Sequence, residues 1–293
     1  MADIFIIIPT YNAARFLDRC LASVLLTQPG DFSLRVHVQD GGSTDGTAKV
    51  AAAWAVRGVT FASEPDAGLY DAIHKASKAV ADGQIMTWLG SDDVLLPGSL
   101  DTVFSIFDQR QEVAWVAGSP FVGRDGSGNF TPWGLQKFSR KVLSRGLADG
   151  RSCNFVMQEG TFWRSDLWNE VGGINPAFRL AGDWDLWRRF AQKTPLYSLD
   201  FPLARFTQRV GQASSDMAAY YAEIDAAPAL DAIDDDNSYR LVRYPGQQWT
   251  VETIRETRRA SNAPPSIPAQ FGRGKPLLNR LFAVKSLGSL FVR

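Results

Sequence analysis

Ser91-Asp92-Asp93 stands at the end of the apolar run Gln84–Leu89. Two adjacent carboxylates at the C-terminal edge of a buried strand do not serve packing. An ionised carboxylate in low dielectric needs a cation, strong donors or water. In an open α/β sheet that edge is also where ligands bind. Asp92 and Asp93 therefore point to a divalent cation holding a phosphorylated ligand.

Four more polar segments fall where strands end or soon after. In Pro9-Thr10-Tyr11-Asn12, Pro9 ends a strand and Asn12 can cap the following helix. In Asp40-Gly41-Gly42-Ser43-Thr44-Asp45-Gly46 the glycines let backbone approach a ligand, and Ser43 and Thr44 begin a helix whose amides favour anions. The third runs from Glu64 to Lys75 and includes Asp66, Gly68 and Asp71. The last is Gly182-Asp183-Trp184-Asp185-Leu186-Trp187-Arg188. Each alone reads equally well as a turn, a cap or a solvated surface. Their order and spacing carry the weight.

The elements that must position these segments alternate. Ile4–Ile8, Leu34–Val38, Val59–Ala62, Ile85–Leu89 and Val113–Ala117 are near-continuous apolar runs, as in strands covered on both faces. Between them Ala13–Leu26, Thr44–Val56, Leu69–Ala81 and Pro97–Phe107 have helical periodicity, with Thr44 at a cap and Pro97 at a first helical position. The alternation predicts an α/β fold: a Rossmann-like, mostly parallel central sheet with helices on both faces. After the turn-rich Gly118–Gly128, strands are expected at Gly160–Trp163 and Leu196–Phe206, and an amphipathic helix at Gly182–Ala191.

The C-terminal part reads as a helical extension, 216–293. Asp216–Ser238 carries seven acidic residues and no basic one, and is expected as a solvated helical pair. Ala263–Pro268 is a stiff linker. In the tail 269–293, Arg273, Lys275, Arg280, Lys285 and Arg293 accompany Leu277, Leu281, Val284, Leu287 and Phe291 at helical spacing. Such a tail suits either an anionic membrane surface or docking on the protein itself.

Of the 293 residues 45% are hydrophobic, and 31 Lys plus Arg balance 31 Asp plus Glu, so no global basic excess argues for nucleic acid. Cys20 and Cys153 have neither metal-ligand nor disulfide spacing and read as buried free thiols. With no basic n-region at the N-terminus and no uncharged apolar run of membrane-spanning length, the body is expected in the cytoplasm, with peripheral contact at the inner face of the plasma membrane through the tail.

The five segments in this order resemble the family-2 glycosyltransferases of the GT-A fold, bacterial polysaccharide type, over roughly residues 3–215. The resemblance implies a GT-A domain, 1–215, with a nucleotide-sugar-binding half (1–118) and an acceptor and base half (119–215). It implies inverting transfer from a nucleotide-diphosphate sugar, UDP-linked in the common case, with Mn²⁺ or Mg²⁺. The acceptor would be a hydroxyl of a lipid-linked or surface polysaccharide.

Position by position, Pro9, Thr10, Tyr11 and Asn12 resemble the loop against base and ribose. Asp40 resembles the residue that hydrogen-bonds the base, with Ser43 in the same loop. Asp66, Gly68, Asp71 and Lys75 match the segment lining nucleotide and donor sugar. Ser91, Asp92 and Asp93 occupy the family's DxD position, with Asp93 the direct metal ligand and Asp92 near ribose or a metal-bound water. Asp183 falls where the family places its general base. The sequence departs from the pattern at Ser91, which replaces a first aspartate; at His74 and Ala76, in place of Asn and Gly; and at Gly182, where many members have Glu.

Two segments are expected to face the acceptor. In Gln158–Trp163, Glu159 can bind sugar hydroxyls or pair with an arginine. Arg209, in a loop at 209–214, either clamps the diphosphate or is an ordinary surface arginine. Trp163 and Trp184 are candidates for stacking on the acceptor, and Trp184 and Trp187 for desolvating Asp183. Asp185 is expected to cap or pair. Two other classes compete: a non-catalytic nucleotide-sugar-binding subunit, against which the intact Asp93 and Asp183 argue, and a nucleotidyltransferase. The latter needs a Gly-rich, basic loop after the first strand, which Pro9–Arg15 is not.

Overall fold

The computed structural model describes residues 3–26, 30, 32–126, 129–233, 235, 237–245 and 248–255. In chain order the first part holds β1 (Asp3–Thr10), α1 (Ala14–Leu25), β2 (Ser33–Asp40), α2 (Thr47–Ala53), β3 (Thr60–Ser63), α3 (Leu69–Ser77), β4 (Ile85–Trp88), β5 (Val94–Leu95), α4 (Ser99–Gln109) and β6 (Trp115–Ala117). Then come β7 (Phe121–Arg124), β8 (Phe130–Pro132), α5 (Arg140–Ser144), β9 (Thr161–Arg164), α6 (Ser165–Glu170), α7 (Gly182–Lys193), β10 (Tyr197–Leu199), β11 (Ala204–Gln208), α8 (Met217–Ala226), β12 (Ser238–Arg243) and β13 (Thr250–Arg255).

Why β1 is apolar at every position is visible in its packing. Ile4, Ile6 and Ile8 enter one core with Leu17, Leu21 and Val103, while Phe5 and Ile7 enter the other with Ile73, Trp88 and Trp187. Side chains alternate along a strand, so a strand with a core on each face has no polar side. β1 pairs in parallel with β2 and β4, and β2 with β3. The large sheet runs β13-β12-β10-β6-β9-β4-β1-β2-β3. Strand order therefore reverses between β1 and β4, and the crevice at their carboxyl ends is where such sheets bind ligands.

β9 is antiparallel to both β4 and β6. Its first residues consequently lie at the rim where β4 ends, which brings Gln158 and Glu159 there. A small sheet, β5-β11-β7-β8, sits next in chain order to the aspartates: β5 follows Asp93 directly and pairs antiparallel with β11.

Several local expectations are corrected. Leu196–Phe206 is two strands in two sheets, because Pro202 lacks a backbone donor and the chain turns at Asp200–Pro202. Thr44 does not cap a helix. Asp45 accepts from the Thr47 amide (2.9 Å), so α2 starts after Gly46, and Ser43 and Thr44 stay in the loop. Pro97 precedes Gly98, whose φ of 80° marks the cap, and α4 begins at Ser99. Thr44–Val56 is divided into α2 and a 3₁₀ turn at Ala55–Arg57.

Among the described residues of the acidic stretch only Met217–Ala226 is α-helical; Pro228 follows, and β12 then joins the large sheet beside β10. The described residues of 217–255 thus contribute one helix and two antiparallel strands. Cys20 is buried, but Cys153 is only half-buried, and neither is in a disulfide. The described residues fall within one compact unit. The linker and the tail 269–293 lie outside the described residues. Among the described residues no helix is long and apolar enough to cross a membrane.

Candidate active site

Register explains the first part of the site. Thr10 is paired with Asp40, and Asp40 with Ser63, so the three stand level at the ends of β1, β2 and β3. The Asp40 carboxylate, 1% exposed, accepts from Ser43 Oγ (2.5 Å), Ser63 Oγ (2.7 Å), Thr10 Oγ1 (3.2 Å) and the amides of Ser43 (2.9 Å) and Gly42 (3.2 Å). Burial pushes this carboxyl up, but the donated bonds from Ser43, Ser63 and Thr10 outweigh it and hold it below the usual range. Asp40 is an ionised acceptor at neutral pH.

The neighbouring loops are stitched to each other. Asn12, at φ 48°, donates its amide to Ser43 Oγ (2.7 Å) and accepts from the Thr44 amide (3.0 Å). Tyr11 leaves 67% of its surface open beside them. The Asp66 carboxylate lies against Gly41, where a Cβ would meet Asp66 Oδ2 at 2.6 Å and would have to displace it. Gly68, at φ 127°, donates to Asp66 Oδ1 (2.9 Å) and starts α3. Asp71 and Lys75 form an i,i+4 ion pair (3.2 Å) that also binds the Ala67 amide and the Pro65 carbonyl. These two shape the Pro65–Asp71 turn.

At the β4 end Ser91, Asp92 and Asp93 are all buried. Asp93 Oδ1 accepts the Thr207 amide of β11 at 2.7 Å, a bond set up by the β5–β11 pairing. Asp92 Oδ2 accepts from Arg209 Nε, and the Asp92 carbonyl from Arg19 Nη2 (2.8 Å). Arg209 thus pairs with a site carboxylate and is not an isolated surface arginine. Burial pushes Asp93 well up, and the charges of Glu159 and Asp92 push it further. An anion stored in such a place is the kind of group that a bound cation stabilises.

Asp183 stands on the first turn of α7. Its Oδ1 accepts from Tyr70 Oη (2.9 Å) and the Trp184 amide (2.8 Å), while Oδ2 accepts no hydrogen bond from another described residue. Burial raises its carboxyl above the usual range. Glu159, half-buried, is pushed up to about 7 by burial, with the charges of Asp183 and Asp92 adding to it. The charges of Asp183 and Asp92 thus both act on Glu159, and those of Glu159 and Asp92 on Asp93. Among the described residues no arginine pairs with Glu159. Asp185 pairs with Arg189 (2.8 Å), as expected.

The tryptophan assignments are corrected. Trp163 is 0% exposed, stacked on Trp168 (5.9 Å) and edge-on to Trp88 (5.1 Å), so it has no free face for an acceptor. Trp184, 6% exposed, donates its indole to the Gly146 carbonyl (2.9 Å) under the Arg188 guanidinium. Trp187 stacks on Trp88 and Trp115 within the core. The ring that meets Asp183 is that of Tyr70, which lies inside the third segment but had no pattern of its own to mark it. Arg19 and the Thr207 amide were likewise hidden, because both depend on strand pairing.

Tyr70 also explains the glycine before Asp183. A Cβ on Gly182 would meet the Tyr70 ring at 2.7 Å. Gly182→Ala is expected to displace that ring and its bond to Asp183, lowering kcat about tenfold or more. Overpacking would cost about 1–3 kcal/mol of stability. Steady-state kinetics beside a melting curve check both.

The sequence matches the model of glycosyl transferase family 2 over residues 5–163, more than half of the chain, and the protein belongs to that family. A PGL/p-HBAD biosynthesis glycosyltransferase of Mycobacterium tuberculosis is 30% identical over 183 residues, 61% of this chain and 66% of that protein. The match thus spans a little under two thirds of that relative. A glycosyltransferase of Nostoc is 26% identical over 191 residues, 63% of this chain and 56% of its own. Among solved structures, Staphylococcus aureus TarS 1-349 in complex with UDP-GlcNAc superposes with a TM-score of 0.59 at 16% identity, covering 73% of this chain and 61% of that one. At that identity the likeness speaks to fold: the protein has the GT-A fold.

Proposed function

We propose that the protein is an inverting glycosyltransferase that moves a sugar from a nucleotide-diphosphate donor, UDP-linked, to a hydroxyl of a lipid-linked or surface polysaccharide acceptor. The observation that carries this reading is the state of Asp183: one oxygen held by Tyr70 and the Trp184 amide, the other unengaged among the described residues. A general base needs this arrangement, with a fixed orientation and a lone pair to spare. Family membership and the nucleotide-sugar complex of TarS support the donor class.

The donor's base and ribose would lie over Tyr11 and Asp40, with Asn12, Ser43 and Asp66 alongside. Its diphosphate would reach Asp92 and Asp93. Asp183 Oδ2 takes the proton of the acceptor hydroxyl as that oxygen bonds the anomeric carbon. The bond from that carbon to the diphosphate oxygen breaks, and the electron pair leaves with the nucleotide diphosphate. One displacement inverts the configuration.

The residues present fit a divalent cation. Asp92 and Asp93 are adjacent and buried, and burial and the charges of Glu159 and Asp92 push the Asp93 carboxyl up. Among the described residues no cluster of three or more His, Cys, Asp or Glu is arranged to hold a metal unaided. That suits Mg²⁺ or Mn²⁺, which share one or two carboxylates with substrate phosphates and water. Asp93 and Asp92 would hold it; what it supplies when bound is neutralisation of charge on the leaving diphosphate. Arg209 would then leave Asp92 for a phosphate oxygen.

A thermal-shift panel of UDP- and GDP-sugars with and without Mn²⁺ tests this reading. A ligand at about 100 times its Kd stabilises the folded state by about 2.7 kcal/mol. At least one sugar nucleotide should raise the melting temperature, more so with Mn²⁺, and should be slowly hydrolysed. A flat response to the whole panel would contradict the reading.

A further inference from the structure

We propose that Glu223, on α8 and outside the 5–163 family match, is a positioning residue for Asp183. The proposal rests on the reading of Asp183 as the base. Glu223 Oε1 accepts the Arg179 amide, and Oε2 accepts the amides of Leu180 and Ala181, each at 2.9 Å. These are the backbone donors just ahead of α7. Its cap residue Ala181 has no side chain that can bind them. The Ala181 amide is one of the donors that a helix start leaves in need of a partner, and here the partner is a carboxylate brought by another helix, the charge that a helix N-terminus favours.

The same short segment is gripped from the opposite side. Tyr70 Oη lies 3.1 Å from the Leu180 carbonyl and 2.9 Å from Asp183 Oδ1. Its single proton serves one of them at a time. Asp183 therefore follows a stretch of backbone whose amides are fixed by α8 and whose carbonyl faces α3.

The face of α8 that carries Glu223 is suited to this. Tyr220, Glu223, Ile224 and Ala227 share one side at helical spacing. Tyr220, Ile224 and Ala227 pack with Ala181, Trp184 and Phe178. Arg151 binds Asp225 with two bonds (2.7 and 3.1 Å) and lies at 4.5 Å over the ring of Tyr221, which packs on the same cluster. α8 is thus anchored by this packing and by Arg151, with Glu223 on the segment that leads into the base-bearing helix.

The test uses the full chain and four variants: Glu223→Ala, Glu223→Gln, Asp183→Asn, and Asp183→Asn combined with Glu223→Ala. The readouts are hydrolysis of the panel sugar nucleotide that stabilises the protein most, with Mn²⁺ and with water replacing the acceptor, and amide hydrogen exchange. Glu223→Ala should lower kcat about 10–100-fold with donor KM within about twofold, the signature of a displaced base. Glu223→Gln keeps one oxygen acceptor and should fall between the two.

In the Asp183→Asn background, Glu223→Ala should change nothing further, because a base that is absent cannot be misplaced. The amides of Leu180 and Ala181 should exchange about tenfold faster or more in Glu223→Ala, with β1 unchanged. Wild-type kcat in Glu223→Ala beside an inactive Asp183→Asn would overturn the positioning role while sparing the base. Losses that multiply in the double variant would also overturn it, marking a general effect on the fold. Full activity in Asp183→Asn would instead remove the base reading, and this proposal with it.

Discussion

Asp183→Asn is expected to lower kcat about 10²–10⁴-fold, the range in which a positioned general base contributes. The donor KM should change little. Asn is isosteric and can keep its carbonyl oxygen on Tyr70 and the Trp184 amide, so the site's shape survives. The atom then facing the acceptor is an amide nitrogen, which cannot take a proton. The pH dependence carries a second signature. Burial raises the Asp183 carboxyl, and a base works only when deprotonated, so kcat should fall as pH drops through that raised value. The acid limb should lie above the ~3.9 of a free aspartate. In the Asn variant the residual rate should lack this limb. Steady-state kinetics from weakly acidic to neutral pH on both proteins measure it.

Asp93→Asn is expected to separate stability from function. Asp93 is 3% exposed, and its charge is opposed by burial and by Glu159 and Asp92. Asn keeps an oxygen for the Thr207 amide, so that buried donor is not orphaned. Removing the charge relieves the repulsion, and the ligand-free variant should melt no lower than the wild type. A gain of 1 kcal/mol corresponds to about 2–4 °C in a domain of this class. Transfer should nevertheless fall about 10²-fold or more, and the stabilisation by Mn²⁺ with a sugar nucleotide should disappear. Asp93→Ala is the less informative change, since it leaves the Thr207 amide unpaired at about 1–3 kcal/mol. Paired melting curves with and without ligand, beside the transfer rate, check the prediction. A variant that melts lower and still responds to Mn²⁺ and donor would contradict it.

The parts legible in the sequence were those governed by local pattern. The unbroken apolar run Ile4–Ile8 required two covered faces, and β1 has them. The polar segments after β1, β2, β3 and β4 follow strands that lie side by side, so parallel order was enough to predict a common rim. Less legible was whatever depends on pairing between distant segments. Ser91-Asp92-Asp93 was visible, but the Thr207 amide on Asp93 arises from antiparallel β5–β11 pairing that no period announces. Glu159 reaches the rim because β9 runs against its neighbours. Trp163 looked like an exposed platform because aromatic residues near acidic motifs look alike whether stacked in a core or facing a sugar. Its full burial with Trp88 and Trp168 is decided by long-range packing. Glu223 was read within a solvated acidic run, and only tertiary contact shows the backbone amides that it binds.

The most direct test is a crystal structure of the protein with Mn²⁺ and a hydrolysis-resistant UDP-sugar phosphonate. The uracil should lie against Asp40 and Tyr11, and the diphosphate with its ion against Asp93 and Asp92. Arg209 should have released Asp92, and Asp183 Oδ2 should face the anomeric carbon from the side opposite the leaving group. A nucleotide bound away from this rim, or an anomeric carbon turned from Asp183 toward solvent, would contradict the account.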